Sequence, residues 1–183
     1  MRISRYRIAC LEDAEAITKL VNDAYRPAAG ERGWTDESAL VSGDRTSTNG
    51  VKDAIARPES VVLLMFLGDE LVACAHVERI RGDAHLGMLS VKPELQGSGI
   101  GKEILAYAEN YAEDKFRAEK FVMLVVSLRS ELLAFYRRRG YEPTGEVMDY
   151  PHSAGVGVPK RNDLKIQVLE KRSNRLLHEQ SGT

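Results

Sequence analysis

Cysteine is scarce in this chain of 183 residues, and that scarcity narrows the reading first. The two present, Cys10 and Cys74, lie far apart in apolar runs, so buried free thiols are expected and a disulfide framework is not. No His or Cys spacing suits a metal, and Asp149-Tyr150-Pro151-His152 with the following Gly155 and Gly157 does not supply one. A run approaching the roughly 20 apolar residues of a membrane span is missing. Residues 1–10 carry three arginines and are followed at once by Glu12 and Asp13, which is unlike the apolar centre of a signal peptide. An excess of one charge is lacking as well: 26 Lys and Arg stand against 27 Asp and Glu, so neither nucleic acid nor a membrane surface is an expected partner. These absences leave a cytoplasmic protein with no metal, and the length suits one domain able to bury its own core.

What is present is an ordinary globular composition, 43% hydrophobic and 29% charged, arranged in periodic segments. A short strand is expected over 2–9, then a helix opened by Glu12 and Asp13 and carried by Ala16, Ile17, Leu20, Val21 and Ala24. Over 25–57 the pattern loosens, with Pro27, Gly30, Gly33, Gly43 and Gly50 separating short helical pieces, which suits a segment that shapes a substrate site. Apolar runs at 60–67 and 71–80 flank a turn and predict a hairpin, and a third strand over 84–91 follows Arg81-Gly82-Asp83. Pro93 forbids its continuation. Ile100, Ile104, Leu105, Ala108, Tyr111 and Ala112 then share one helical face. A buried strand over 121–128, a helix over 130–139 capped by Gly140, and a strand around Leu164, Ile166 and Val168 complete a domain over 1–170, with 171–183 as a polar tail. The class is α/β, a mixed and mostly antiparallel central sheet flanked by helices.

The strand-to-helix junction at 89–102 carries the most chemical information. The first N–H groups of a helix lack partners inside it and sit at the positive end of its dipole, so glycines there let a diphosphate reach the backbone. A Walker loop would need Gly and Ser or Thr where Gln96 and Glu103 stand, and Gly97, Gly99 and Gly101 are spaced G-x-G-x-G rather than as the dinucleotide fingerprint G-x-G-x-x-G. A tight turn holding no ligand is the plainer alternative.

Gln96-x-x-Gly99-x-Gly101, preceded by Leu89, Val91 and Pro93 in an L-x-V-x-P strand ending, resembles the coenzyme A motif R/Q-x-x-G-x-G/A of the GNAT superfamily of N-acetyltransferases. A second stretch is similar to a later GNAT motif: Phe135-Tyr136-x-x-x-Gly140-Tyr141, closing a helix that follows a strand. The resemblance spans residues 5–170, and Arg129 departs from it, standing where members often carry Asn. It implies the GNAT fold and an enzyme that moves the acetyl group of acetyl-CoA to a primary amine; the rival is a silent acyl-CoA sensor of the same fold. It assigns Leu89, Ser90, Val91, Gln96, Gly97, Ser98, Gly99, Ile100, Gly101, Lys102 and Tyr136 to the coenzyme, in a cleft between splayed strands at 89–91 and 125–127. Tyr136 is further implied to protonate the departing thiolate, which suits a phenol held within hydrogen-bond reach. A homodimer is common in the family.

On the acceptor side, an amine of pKa about 10.4 is neutral at pH 7 only at a cost of roughly 4.6 kcal/mol, so a base or a water chain is expected. His85 lies six residues before Val91, where several GNAT enzymes carry a catalytic Glu; Glu78 on the neighbouring strand is the next candidate, with His76 behind it. An uninvolved strand histidine is an equal alternative for His85, and an exposed or hydrogen-bonded strand residue is the preferred reading for Glu78 and His76. Tyr25, Trp34, Arg45, Asp149, Tyr150 and His152 fall in the irregular segments that flank the acceptor groove in this family. The plainer readings are a loop anchor for Trp34 and a surface ion pair for Arg45. Arg137, Arg138 and Arg139 read as a solvated helix end that complements the dipole.

Overall fold

The computed structural model describes residues 3–27, 34–151 and 155–174. In chain order the elements are β1 (Arg5–Ile8), α1 (Ala14–Tyr25), β2 (Val41–Ser42), α2 (Thr48–Ala56), β3 (Ser60–Leu67), β4 (Glu70–Ile80), β5 (Asp83–Val91), α3 (Ile100–Phe116), β6 (Lys120–Val126), α4 (Ser130–Arg137), β7 (Glu142–Asp149), β8 (Val158–Pro159) and β9 (Lys165–Arg172). Seven strands form one sheet in the order β1-β3-β4-β5-β6-β9-β7, and β2 pairs with β8 apart from it. β5 and β6 run parallel, while every other neighbouring pair is antiparallel.

Strands β3 and β4 read as nearly continuous apolar runs because both of their faces are covered. Val62, Leu64, Phe66 and Cys74 pack with Ile17, Val21 and Ala24 of α1 and Val51 of α2. Alternate residues, Leu63, Met65, Ala73, Ala75 and Val77, pack with Ile104, Leu105 and Ala108 of α3. The period of two along the strands thus divides the interior into two cores. Helix α1 turns Ile17, Leu20, Val21, Ala24 and Tyr25 inward, at the spacing of a single helical face.

Two irregularities in the sheet create the space for a site. β5 and β6 stay paired only from Ala84↔Phe121 to Leu86↔Met123; beyond that point the strands part. On the other side of β5, the register with β4 shifts between Cys74 and His76, and Met88 takes a φ of 46°, a left-handed conformation rare for a residue with a side chain. The bulge re-aims the end of β5: Ala84 and Leu86 pack in the α3 core before it, and Leu89 and Val91 after it.

Three strands were not expected from the sequence. β7 is exposed along almost its whole length and contains Pro143 and Gly145, so it shows neither an apolar run nor a clean alternation. β2 and β8 are two residues each, too short for any periodicity. The last strand also continues through Lys171 and Arg172, paired with Phe121 and Lys120, two residues into the segment expected as a polar tail. His152 and most of that tail lie outside the described residues.

Candidate active site

Pro93 ends β5 and starts a 3-10 turn, after which Gly97 and Gly99 take φ values of 80° and 96°. Side chains are strained there, and the open space around both glycines shows that backbone conformation, not crowding, selects them. Among the described residues, the amides of Gly97, Gly99, Ile100 and Gly101 donate to no protein acceptor, whereas the Lys102 amide closes onto Gly99 O at 3.0 Å. Consecutive free N–H groups at the start of a 17-residue helix form an anion seat. Gln96 holds the loop from beneath: its Nε2 donates to Val91 O at 3.1 Å and to Thr35 Oγ1 at 3.3 Å, while its Oε1 accepts the Trp34 amide.

A cavity of about 500 Å³ opens over this seat, lined by Gly97, Gly99, Gly101, Lys102, Leu89 and Val91 and closed across the top by Trp34, Phe135, Arg138 and Arg139. Trp34 meets Phe135 edge to face, with centroids 4.7 Å apart. The Arg139 guanidinium lies 3.4 Å over the Phe135 ring and donates from Nη1 to Phe135 O at 2.7 Å, leaving a buried Nε without a partner. The site therefore offers two arginines, a lysine and open amides to a polyanion.

A second cavity of about 280 Å³ begins where the strands part and shares Leu89 with the first. Its walls include Gly87, Met88, Met123, Val125, Leu132 and Ile166, with the aromatic rings of Tyr25, Tyr136 and Tyr150. Tyr136 is buried, its ring meeting those of Phe135 and Tyr141 edge to face, and its hydroxyl has no hydrogen-bond partner among the described residues. Burial above all, with the nearby Tyr25 hydroxyl, raises its pKa well above 10, so it is protonated throughout the neutral range. The Tyr25 hydroxyl, itself pushed up to about 12 by burial, donates to Leu89 O at 3.1 Å, at the point where the cavities meet.

The segment that closes both cavities is pinned by buried charge. Glu37 accepts from Arg26 Nη1 at 2.9 Å on one oxygen, and its other oxygen lies 3.4 Å from Arg129 Nη1. Side-chain exposure is only 7% for Glu37, 8% for Arg26 and 10% for Arg129, so the three charges hold one another. Arg129 also donates to Thr35 O at 3.1 Å and Trp34 O at 2.9 Å, which ties the α1–α2 connection to the start of α4.

The sequence matches the model of the acetyltransferase (GNAT) family over residues 15–141. The chain belongs to that family. Its solved structural neighbours carry the same GNAT fold: an N-acetyltransferase from Staphylococcus aureus Mu50 superposes with a TM-score of 0.71 at 17% identity, covering 94% of this chain and 98% of that one. The PaiA N-acetyltransferase of Thermoplasma acidophilum, solved in complex with coenzyme A, gives 0.66 at 21% identity with 94% and 99% covered. Mutant forms of the spermidine/spermine N-acetyltransferase SpeG from Vibrio cholerae give 0.66 at 12% identity with 97% and 99% covered. No curated protein matches the sequence.

Against the GNAT motif, the structure distributes the expected donor residues in two ways. Leu89, Val91, Gln96, Gly97, Gly99, Gly101 and Lys102 line the first cavity, and Tyr136 lines the second. Ser90, Ser98 and Ile100 line neither: Ser90 is fully buried with its hydroxyl on Met88 O, Ser98 caps Leu95 O, and the Ile100 side chain is core. Ile100 keeps a place in the seat through its free amide alone.

The base candidates are not brought to the cavity. Glu78 and His85 are cross-strand partners one pleat beyond His76 and Gly87, and neither lines the acceptor space. Glu78 is instead paired with Arg57 at 2.8 Å. His76 bonds through Nε2 to Ser60 Oγ at 2.8 Å and is held below its usual pKa by burial. Trp34, expected beside the acceptor groove, lines the first cavity and not the second. Asp149, on the exposed strand β7, pairs with Lys165. Three features escaped the sequence reading: Arg138 and Arg139 as cavity walls, the Arg26–Glu37–Arg129 cluster, and Tyr25 on the Leu89 carbonyl. The first had a signal, since Arg138 and Arg139 stand three and four positions past Phe135, whose ring lies 3.8 Å from where a Cβ on Gly101 would be.

Proposed function

We propose that this GNAT protein transfers the acetyl group of acetyl-CoA directly to an amine held in the second cavity. The observation that carries the reading is the continuity, through Leu89, of an anion seat with a buried phenol that has no partner among the described residues. On this reading the diphosphate of the coenzyme would sit on the amides at 97–101, with its arm running past Val91 and Leu89 towards Tyr136. Carbonyl groups of Leu89 and Val91 each accept one side-chain bond and keep a second lone pair for the amides of the arm.

In the transfer step the neutral amine nitrogen bonds to the thioester carbon, and the carbonyl electron pair moves onto oxygen. When it returns, the C–S bond breaks with its electron pair on sulfur. Tyr136 gives its hydroxyl proton to that sulfur, the surplus proton on nitrogen leaves through water in the open cavity, and solvent restores the phenol. A phenol with a raised pKa is a weaker acid, but the thiolate leaves into the same apolar surroundings, which raise its proton affinity too. No side chain has to carry the acetyl group.

Replacing Tyr136 by Phe removes one oxygen from a packed aromatic cluster and leaves the seat intact. Turnover should fall by about 10²–10⁴-fold, the usual worth of a positioned acid, while calorimetric affinity for coenzyme A changes little. Full turnover in Tyr136→Phe, measured as thiol release, would remove the role; wild-type protein that binds coenzyme A but acetylates nothing in a broad amine panel would favour the silent sensor.

A further inference from the structure

The acceptor cavity has an unusual charge inventory. Its charged lining residues, among those described, are Glu37 and Arg45. Glu37 is spent, since both of its oxygens face arginines from outside the cavity. Arg45 is half-buried, yet among the described residues its guanidinium makes no ion pair and no hydrogen bond, and its Cζ lies 5.3 Å from the centroid of the Tyr25 ring. The expected surface ion pair is not formed among those residues. The backbone beneath is fixed all the same: the amides of Arg45 and Thr46 both donate to Asn22 Oδ1, at 2.9 and 3.1 Å. Position is specified and the five guanidinium donors are left over.

We infer that Arg45 is the specificity residue for an acceptor that carries a carboxylate as well as its amine. This rests on the acetyltransfer reading above and adds the class of the second substrate. Tyr25 supplies the geometry: its ring carries Arg45 on one face, and its hydroxyl marks Leu89 O at the mouth of the donor cavity. An amine directed at the thioester thus leaves a group one tyrosine length away opposite Arg45. A guanidinium in this setting binds a carboxylate through paired, charge-assisted bonds. Leu86, Met123, Val125, Leu132 and Ile166 supply apolar wall to a cavity of about 280 Å³, which suits an aliphatic or aromatic amino acid. A polyamine finds the reverse of what it needs: a cation without a partner, and a carboxylate already neutralised.

Matched acceptors test the inference. Thiol release with acetyl-CoA is compared for L-leucine against isoamylamine and for L-phenylalanine against 2-phenylethylamine, with spermidine as the polycation. In parallel, the protein–coenzyme A complex is titrated with N-acetyl-L-leucine and with N-isoamylacetamide. Wild type should favour each carboxylate-bearing member by about 10–100-fold, the range of a charged hydrogen-bonded contact, in binding and in kcat/KM. In Arg45→Gln the ratio should collapse towards one, and Arg45→Lys, which keeps the charge without the fork, should restore part of it. Equal or inverted preference in wild type, or a ratio indifferent to Arg45→Gln, would overturn the assignment of Arg45 while coenzyme A binding upheld the donor site. Absence of coenzyme A binding in folded wild type would overturn both.

Discussion

Single residues already separate the two jobs of the glycine loop. Gly99 has a φ of 96° with nothing near its missing Cβ, whereas a Cβ on Gly101 would meet Phe135 and Val91 at an ordinary 3.8 Å with no positive φ to sustain. Gly99→Ala should therefore cost about 1–2 kcal/mol of backbone strain and turn the free amides away from the seat, weakening coenzyme A at least tenfold by calorimetry. Gly101→Ala should bind nearly as wild type, since alanine fits both the helix and the gap. Equal affinities for the two variants would show that the loop does not grip through its backbone. This much was legible in the sequence, because a loop motif is local: Gln96, Gly99 and Gly101 sit together in the chain and in space. The free guanidinium of Arg45 was not legible, because nothing in a sequence tells a charge that has found its partner from one that has not.

Among the elements, the connection after α1 illustrates what distance in sequence conceals. Arg26 and Glu37 belong to that connection while Arg129 lies far along the chain, and its standing where related chains often have Asn gave no sign of a clamp. In the fold it holds the backbone oxygens of Trp34 and Thr35 beside the donor cavity. Glu37→Gln leaves two guanidinium groups facing each other in a dry site. We expect a loss of about 3 kcal/mol in chemical denaturation, with a raised KM for acetyl-CoA as Trp34 loosens over the cavity. A variant with wild-type stability would mean that water reaches the cluster and screens it. Helices α1, α3 and α4 were readable from their apolar faces, β3 and β4 from apolar runs covered on both sides, and β5 as the strand that follows the Arg81-Gly82-Asp83 turn. β7 was not, since an exposed edge strand with Pro143 and Gly145 has little to bury.

For the molecule as a whole, His76 and Asp13 set the response to acid. His76 is kept neutral chiefly by burial, so its folded pKa lies below the unfolded value near 6.5; the unfolded chain gains a proton first, and stability is lost as pH falls below that value. Asp13 acts lower on the scale. Hydrogen bonding from Arg7 holds its carboxyl far below the usual range, so its contribution persists above about pH 4 and drains away under stronger acid. The melting temperature should thus fall between pH 7 and 5 and fall again below pH 4. His76→Gln keeps a donor for Ser60 Oγ and carries no titrating ring, so it should flatten the first decline and leave the second; an unchanged first decline would place its origin in another group.

The parting of β5 from β6 has a kinetic corollary. Under the proposed function the coenzyme occupies the first cavity, lined by Gly101 and Lys102 of α3, and the amine the second, lined by Tyr25 of α1, so that the two reactants would meet at Leu89 from different cavities. Neither has to leave before the other arrives, so initial-rate lines at several fixed acceptor concentrations should intersect rather than run parallel, and a large excess of one reactant should not shut out the other.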